Sequence, residues 1–244
     1  MSAAGTVPRL EVAGWRELGV VAGITTRGDD PEPFDLGLWS RTPVATTMDR
    51  WRRFRHGFPG MQGFVLGHQV HGHRMAWHDE IRGWLLTEGV DGHATATPGI
   101  LLTVTVADCV PIYLLDPEER RIALLHAGWR GVAAGILEQG VELLRTKGSP
   151  SERLRMHCGV AICGSCYEVG AEVLRACGRE PAAGDGDRAR FDLREVLSGE
   201  AKRLGIRHVS TSHSCSAHDA GAFFSHRASG GADGRMVAYL GLVP

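Results

Sequence analysis

Histidine and cysteine side chains in three short segments have the types and positions needed to bind a metal ion. The segments are 68–73 (HQVHGH), 107–109 (ADC) and 126–131 (HAGWRG). Each follows a run that predicts a strand, and strand ends are where side chains from distant parts of a chain converge. The sequence therefore predicts that a histidine, a cysteine and a second histidine meet around one ion.

A thiolate and two imidazoles suit zinc, and three protein ligands leave the fourth tetrahedral position open, as in a catalytic site. A water at that position would have its pKa lowered toward ~7 and become a nucleophile at neutral pH. Asp108, beside the proposed thiolate, is expected to orient a ligand imidazole through its second nitrogen. Gly72, Gly128 and Gly131 would let the backbone approach a ligand closely.

Each of these residue types also has an ordinary explanation. A single histidine at a strand end is more often a surface or core residue than a ligand, and a buried cysteine usually packs as a small hydrophobe. The HxxH spacing of His68 and His71 is common by chance. The occurrence of three such unusual turn sequences in one chain is what favours the metal site.

The elements that position these segments form a mixed α and β chain. Ile100–Val106, nearly all β-branched or leucine, is the strongest predicted strand and is expected to be buried on both faces. Strand-turn-strand segments beside strand-helix segments favour mixed sheets in one α/β (α+β) domain over residues 1–244. Further strands are predicted over 18–26, 63–70, 110–115, 121–125, 156–162, 206–210 and 236–242, helices over 132–147, 169–177 and 193–204, and a polar loop over 178–190.

Composition excludes several functional classes. Of 244 residues, 43% are hydrophobic, which is enough to offset the entropy of folding and excludes a disordered chain. The 27 basic and 28 acidic residues nearly balance, so no nucleic-acid or membrane partner is expected. Residues 1–7 lack the features of a signal peptide and no apolar run approaches the ~20 residues of a membrane span, which predicts a cytoplasmic protein. In that compartment the six cysteines are expected to stay thiols.

Several sequence blocks, in the expected order and across nearly the whole chain, resemble the YfiH-like family. Members of that family were first called multicopper polyphenol oxidases or laccase-domain proteins, and later purine nucleoside phosphorylases. The combination of HAGWRG with ADC is highly specific. The blocks are 23–27 (GITTR), 69–72 (QVHG), 107–111 (ADCVP), 126–131 (HAGWRG), 166–170 (CYEVG) and 223–227 (FFSHR), continuing through 234–236 (GRM).

The resemblance implies a four-layer α/β/β/α sandwich in which His71, Cys109 and His126 bind a single zinc ion and act in catalysis. It also implies phosphate-dependent cleavage of adenosine, inosine, guanosine and methylthioadenosine, together with deamination of adenosine to inosine. The expected partners are therefore small purine nucleosides and phosphate, and copper is the alternative metal.

Phosphorolysis needs a phosphate held beneath the sugar, and arginines are the expected donors. Arg130 is predicted at the start of the 132–147 helix, where free N–H groups and the helix dipole favour an anion. Arg27, Arg227 and Arg235 are further candidates, and an ordinary surface arginine is the alternative for each.

Three more residues are predicted to shape the pocket or transfer protons, namely Tyr167, Glu168 and Asp91. Asp91 and Asp108 are both expected to support the metal ligands from behind. The alternatives are a helix cap for Glu168 and a turn residue for Asp91.

The chain departs from the family pattern in two regions. Residues 28–31 (GDDP) and 35–38 (DLGL) replace a glycine-rich turn and a Leu-Asn-Leu-Gly segment, and His226 precedes Arg227 where the family has paired arginines. If these positions touch the nucleoside, substrate preference will differ from that of the family.

Cys163 and Cys166 form a Cys-x2-Cys pair, a spacing found in redox and metal sites. We interpret it as a turn that borders the pocket, because neither a second such pair nor a thioredoxin-like βαβ unit accompanies it.

Three other functions compete with the phosphorylase. A copper-dependent polyphenol oxidase would need several His-x-His units, and only His71-Gly72-His73 has that spacing. A metal-free cysteine hydrolase would use Cys109 as nucleophile and His126 or His71 as base, acting on a peptidoglycan precursor or another amide. A purine-binding module would use the same pocket without turnover, which the open coordination position argues against.

Overall fold

Two six-stranded mixed sheets pack face to face at the centre of the molecule. The computed structural model describes residues 6–182 and 187–244, so residues 183–186 of the predicted polar loop lie outside the described residues. The strands are β1 (Arg9–Glu11), β2 (Val20–Thr25), β3 (Gly63–His68), β4 (Met75–Trp77), β5 (Gly83–Glu88), β6 (Gly92–Thr95), β7 (Ile100–Val106), β8 (Val110–Asp116), β9 (Arg121–Ala127), β10 (Arg155–Cys158), β11 (Glu168–Gly170), β12 (Arg188–Arg190), β13 (His208–Thr211) and β14 (Met236–Leu242). The helices are α1 (Val44–His56), α2 (Trp129–Ala133), α3 (Ile136–Thr146), α4 (Ala171–Ala176) and α5 (Leu193–Arg203).

Both sheets combine parallel and antiparallel pairs, as predicted. The order in the first sheet is β1-β2-β14-β7-β3-β5, with β3 parallel to both β7 and β5. The order in the second is β13-β10-β8-β9-β6-β4, and its parallel pairs are the two outermost ones. Residues 107–109 carry the chain from β7 in the first sheet to β8 in the second, so this turn joins the two sheets.

Apolar cores among the described residues separate four layers. Between the sheets, Leu102 and Val104 of β7 belong to the same core as Leu124 of β9. Helix α1 covers the outer face of the first sheet with Trp51 and Phe54, and helices α2 to α5 cover the outer face of the second. The predicted four-layer α/β/β/α sandwich is therefore confirmed.

The single helix predicted over 132–147 is wrong, because a glycine divides it into two. Helix α2 ends at Ala133, and Gly135 adopts a left-handed conformation with φ 80° before α3 begins at Ile136. Glycine reaches that conformation without the steric cost other residues incur. None of the helices in the described part of the chain is both long and apolar enough to cross a membrane.

Candidate metal centre

The three predicted ligand segments meet at one edge of the two sheets. His71 lies three residues after the end of β3, and Cys109 lies in the turn between β7 and β8. His126 is the penultimate residue of β9. One donor atom from each residue lies within 4.8 Å of the other two. The imidazole rings of His71 and His126 have centroids 4.9 Å apart and are inclined by 76°. The structure thus brings together the three side chains named by the sequence.

The backbone at this edge is held in an unusual conformation. Within residues 6–182 and 187–244, the non-glycine residues with positive φ are His71 (60°), Asp108 (87°) and Arg120 (50°). Such conformations cost of order 1–3 kcal/mol and persist only where surrounding contacts enforce them. Two of the three lie in or beside the donor set, and residues in such conformations cluster at functional sites.

Asp91 supports this edge from a fully buried position just before β6. Its carboxylate accepts hydrogen bonds from the amides of Val70, His71 and Gly72 at 3.1, 2.9 and 2.9 Å, and it contacts Nδ1 of His126 at 2.9 Å. Burial alone would raise the pKa of this carboxyl, but the bonds from His126 and the backbone lower it overall. Asp91 is therefore an ionised acceptor that fixes both ligand segments.

The expectation that Asp108 orients a ligand imidazole is wrong. Its carboxylate accepts hydrogen bonds from the Ser216 hydroxyl at 2.6 Å and the Arg227 amide at 2.7 Å. Asp91 contacts the imidazole instead, from a position 17 residues before Asp108 in the sequence. Asp108 thereby ties the turn that carries Cys109 to the C-terminal loops.

Gly128 permits the close approach of the ligands. A Cβ at this position would lie 3.0 Å from Sγ of Cys109 and 3.1 Å from Cδ2 of His71. Both neighbours are fixed members of the donor set, so a side chain here would displace them. The glycine in the HAGWRG block therefore makes room for the converging ligands.

The three donors also alter each other's protonation. Burial raises the pKa of the Cys109 thiol, but His126 and His71 outweigh it and lower the pKa to about 6. Burial lowers the pKa of His126, but the Cys109 thiolate and Asp91 raise it to about 9. At neutral pH the pair without metal is a thiolate beside an imidazolium. The thiolate is the form of cysteine that binds metals.

The donor set fits a zinc ion. Two imidazole nitrogens and one thiolate sulfur are ordinary zinc ligands, and the hydrogen bond from Asp91 to a ligand histidine is the usual support behind such a ligand. All three side chains also line a cavity of about 480 Å³. That volume lies within the range of small-molecule sites.

Three of the predicted substrate-binding residues line this cavity, namely Arg130, Tyr167 and Arg227, and so does Arg235. The Arg227 guanidinium donates to the Glu168 carbonyl at 2.8 Å and lies 5.0 Å from the centroid of the Tyr167 ring. Burial raises the pKa of Tyr167 to about 12, so its hydroxyl stays protonated. Arg130 is in the short helix α2, with its guanidinium 4.3 Å from the Trp129 ring centroid.

Two predicted substrate contacts are placed elsewhere. Arg27 donates to the Asp233 carboxylate at 3.0 and 3.2 Å and lies over the Phe224 ring. The Glu168 carboxylate pairs with Arg188 at 2.5 Å across β11 and β12. Both side chains have partners within the protein and neither is among the residues that line the cavity, so their predicted contact with substrate stays a prediction. Glu168 contributes its backbone carbonyl, which holds Arg227.

Several cavity residues were not predicted. Trp39 stacks on His68 with ring centroids 4.3 Å apart, and both line the cavity although Trp39 is 55% exposed. The side-chain amide of Gln69 makes two hydrogen bonds to the backbone of Thr105. Its Oε1 accepts from the Thr105 N–H at 2.7 Å, and its Nε2 donates to the Thr105 carbonyl at 2.8 Å. The sequence did contain a signal for Trp39, because it directly follows residues 35–38, where the chain departs from the family pattern. The Gln69 contact has no local signal because its partner is on β7.

Comparison with known proteins shows the family of this chain. The family model described as multi-copper polyphenol oxidoreductase laccase matches residues 16–243. The chain is similar to a purine nucleoside phosphorylase of Deinococcus radiodurans, at 34% identity over 94% of this chain and 86% of the relative. It is also similar to adenosine deaminase RL5 from an unknown prokaryote, at 33% identity over 72% of this chain and 73% of that one.

A solved structure gives the same result for the fold. The crystal structure of YlmD from Geobacillus stearothermophilus superposes with a TM-score of 0.90, covers 98% of both chains and is 27% identical in sequence. The match extends over the sheets, the helices and the turns that hold the metal centre, since it covers almost the entire chain. The chain therefore belongs to the YfiH-like family of multi-copper polyphenol oxidoreductase laccase proteins.

Proposed function

We propose that this chain is a zinc-dependent purine nucleoside phosphorylase that also deaminates adenosine. The observation that carries the proposal is the convergence of His71, Cys109 and His126 on the wall of the 480 Å³ cavity. Three protein ligands leave a coordination position for substrate chemistry. Relatives named as a purine nucleoside phosphorylase and an adenosine deaminase support the choice of substrate. The proposed substrates are adenosine, inosine, guanosine and methylthioadenosine.

Arginines in the cavity are the proposed phosphate site. Arg130, Arg227 and Arg235 all line it, and guanidinium groups bind phosphate oxygens through paired hydrogen bonds. Arg227 is held in place by the Glu168 carbonyl and the Tyr167 ring. In phosphorolysis the bond from C1′ of ribose to N9 of the purine breaks, and C1′ joins a phosphate oxygen. A phosphate fixed before the reaction lowers the entropic part of that barrier.

The stacked pair of Trp39 and His68 is the proposed surface for the purine base. It offers a flat aromatic face at the cavity wall, and aromatic rings stack favourably on one another. A zinc ion held by the three ligands would supply Lewis acidity for the leaving purine and for deamination at C6. Asp91 keeps Nδ1 of His126 occupied, so that the other ring nitrogen faces Cys109 and the cavity.

The proposal is tested by giving the zinc-loaded protein adenosine and phosphate. We expect adenine and ribose 1-phosphate, whereas omission of phosphate should leave only inosine and ammonia. His71→Asn should lose both reactions, and asparagine is chosen because it tolerates the left-handed backbone at this position. His73→Ala, an exposed histidine two residues away, is the matched control and should keep them. Oxygen uptake with a phenol in copper-loaded protein, without phosphorolysis in zinc-loaded protein, would contradict the proposal.

A metal-free cysteine hydrolase is the second candidate, and one observation favours it. Cys109, His126 and Asp91 form a thiol, imidazole and carboxylate series in contact order, which is the arrangement of cysteine hydrolases. Such an enzyme would form an acyl adduct on Cys109 and keep its activity in a strong chelator. Chelator-sensitive phosphorolysis together with stoichiometric zinc would favour the phosphorylase instead.

A further inference from the structure

A second group of potential metal ligands lies outside the proposed metal centre. Cys163 and Cys166 form a Cys-x2-Cys pair, and Cys215 and His218 form a Cys-x2-His pair that begins 49 residues after Cys166. We call these four residues the thiol cluster. One ligand atom from each lies within 4.8 Å of all the others. The spacing within each pair is that of structural zinc sites.

The distances within the thiol cluster suit one tetrahedral ion. Sγ of Cys163 lies 3.6 Å from Nδ1 of His218. With Zn–S near 2.3 Å and Zn–N near 2.0–2.1 Å, neighbouring ligands of a tetrahedral zinc are roughly 3.5–3.8 Å apart. The two turns are already in contact through an isolated parallel bridge between Ala161 and Cys215, so little movement would be needed to close the site.

Backbone amides and a buried arginine lie beside the thiol cluster. Sγ of Cys215 accepts from the amides of Cys163 at 3.3 Å and His218 at 3.5 Å. The Arg194 guanidinium, 6% exposed, is close enough to Cys163 and Cys215 for an electrostatic attraction. A buried cation beside two of the three cysteines offsets part of the negative charge that three thiolates would bring to one zinc ion.

The thiol cluster also occupies a position where an ion would have a structural effect. Ile162 and Tyr167, on either side of the Cys-x2-Cys pair, line the cavity. Ser216, between Cys215 and His218, donates to Asp108 beside Cys109. An ion here would connect the cavity wall that contains Ile162 and Tyr167 to the loop that contains Ser216. That loop in turn holds the turn that carries Cys109.

We propose that Cys163, Cys166, Cys215 and His218 bind a second zinc ion, with no open coordination position, which fixes the wall of the cavity. Four protein ligands close the coordination shell, so the ion has a structural rather than a chemical role. The proposal does not depend on which reaction the cavity catalyses.

The zinc content of purified, reduced protein tests this proposal. We expect two zinc ions per chain in the wild type, one in Cys166→Ser and one in His71→Asn. Cys177→Ser, which removes a buried cysteine outside the thiol cluster, is the matched control and should keep two. One zinc in the wild type and an unchanged count in Cys166→Ser would overturn the proposal. A second contradicting result would be a disulfide between two cysteines of the thiol cluster in protein purified without reductant, if that protein has the same melting temperature as the reduced protein.

A measurement on the wild type covers the case in which Cys166→Ser does not fold. After replacement of zinc by cobalt, absorption from sulfur-to-cobalt charge transfer reports the number of bound thiolates. Two sites predict four thiolates, three of them on one ion, and native mass spectrometry should show two ions per chain. One ion with the absorption of a single thiolate would overturn the proposal.

Discussion

The two cysteine–histidine groups of this chain differ in how their ligands are assembled. The metal centre takes His71, Cys109 and His126 from three strand ends on two sheets, whereas the thiol cluster takes four ligands from two short turns. The first group faces a cavity and the second is positioned behind its wall. Three ligands beside a cavity suit a reaction, and four ligands suit a structural tie.

The comparison also shows where each group obtains its support. In the metal centre a buried carboxylate, Asp91, contacts a ligand histidine and holds strained backbone. Beside the thiol cluster the buried charge is a cation, Arg194, which is held by Asp192 and by the carbonyls of Ser212 and Ser214. The carboxylate of Asp192 also accepts from the Gly164 amide within the Cys-x2-Cys turn. The metal centre is therefore supported by a carboxylate that contacts a ligand directly, and the thiol cluster by an arginine–carboxylate pair beside its turns.

The largest expected effect is on catalysis. Cys109→Ser removes a metal ligand, so phosphorolysis should fall by more than the roughly 10–100-fold typical of residues behind a ligand. Its melting temperature should stay within a few degrees of the wild type, because the sheets do not depend on the ion. Parallel activity assays and thermal melts check this, with Cys177→Ser as control. Normal activity in Cys109→Ser would contradict the assignment.

Loss of the second ion should act mainly on stability. Cys166→Ser should lower the free energy of unfolding by about 4 kcal/mol, because loss of a bound metal is one of the few mechanisms by which a single substitution causes so large a change. Denaturant unfolding of zinc-loaded protein, monitored by tryptophan fluorescence, measures this change. A variant as stable as the wild type would show that the thiol cluster does not hold the fold.

A smaller effect is expected from Asp91→Asn. The amide group has one acceptor oxygen in place of two, so either the backbone amides or His126 lose a partner. We expect a roughly 10–100-fold loss of activity or zinc affinity. Asp108→Asn, which alters a carboxylate without an imidazole contact, should lose less. Equal losses in both variants would contradict the distinct role of Asp91.

The smallest effect is a shift along the pH axis. In metal-free protein the alkylation rate of Cys109 should rise with pH through a midpoint near 6, because the thiolate is the reactive form. Below that pH the thiol is protonated and the rate falls. His126→Asn removes the main group that lowers the pKa, so the midpoint should move up toward the ~8.5 of an ordinary thiol. Peptide mapping of alkylated protein over a pH series distinguishes the two midpoints.

Most of the fold could be predicted wherever burial leaves a local pattern. Strands β7 and β14 match the predicted ranges because both are buried over all or nearly all of their length and consist mainly of apolar residues. Strand β5 was not predicted because it is half-buried and alternates weakly. Helix α1 was not predicted because arginines outnumber the apolar residues that it buries, chiefly Trp51 and Phe54.

In the candidate site, too, the sequence predicts residues that have a local pattern and misses contacts between distant segments. The three ligands stand in unusual turn sequences, which pointed to the segments, and the family resemblance selected His71 among the three histidines of residues 68–73. The partners of Asp91, Asp108 and Arg27 come from distant segments, as Asp233 does from 206 residues beyond Arg27, and have no local pattern. The thiol cluster was within reach, since Cys215 and His218 have a metal-ligand spacing. That these two residues lie next to Cys163 and Cys166 could be seen only in the three-dimensional structure.

Stepwise removal of zinc, with activity and melting temperature followed in the same sample, tests the central distinction most directly. A weak chelator is expected to remove one ion and abolish phosphorolysis while the melting temperature changes little. The second ion should leave only at higher chelator strength, together with a marked fall in melting temperature. Phosphorolysis that persists after all metal is removed, or loss of activity and stability in a single step, would contradict this distinction.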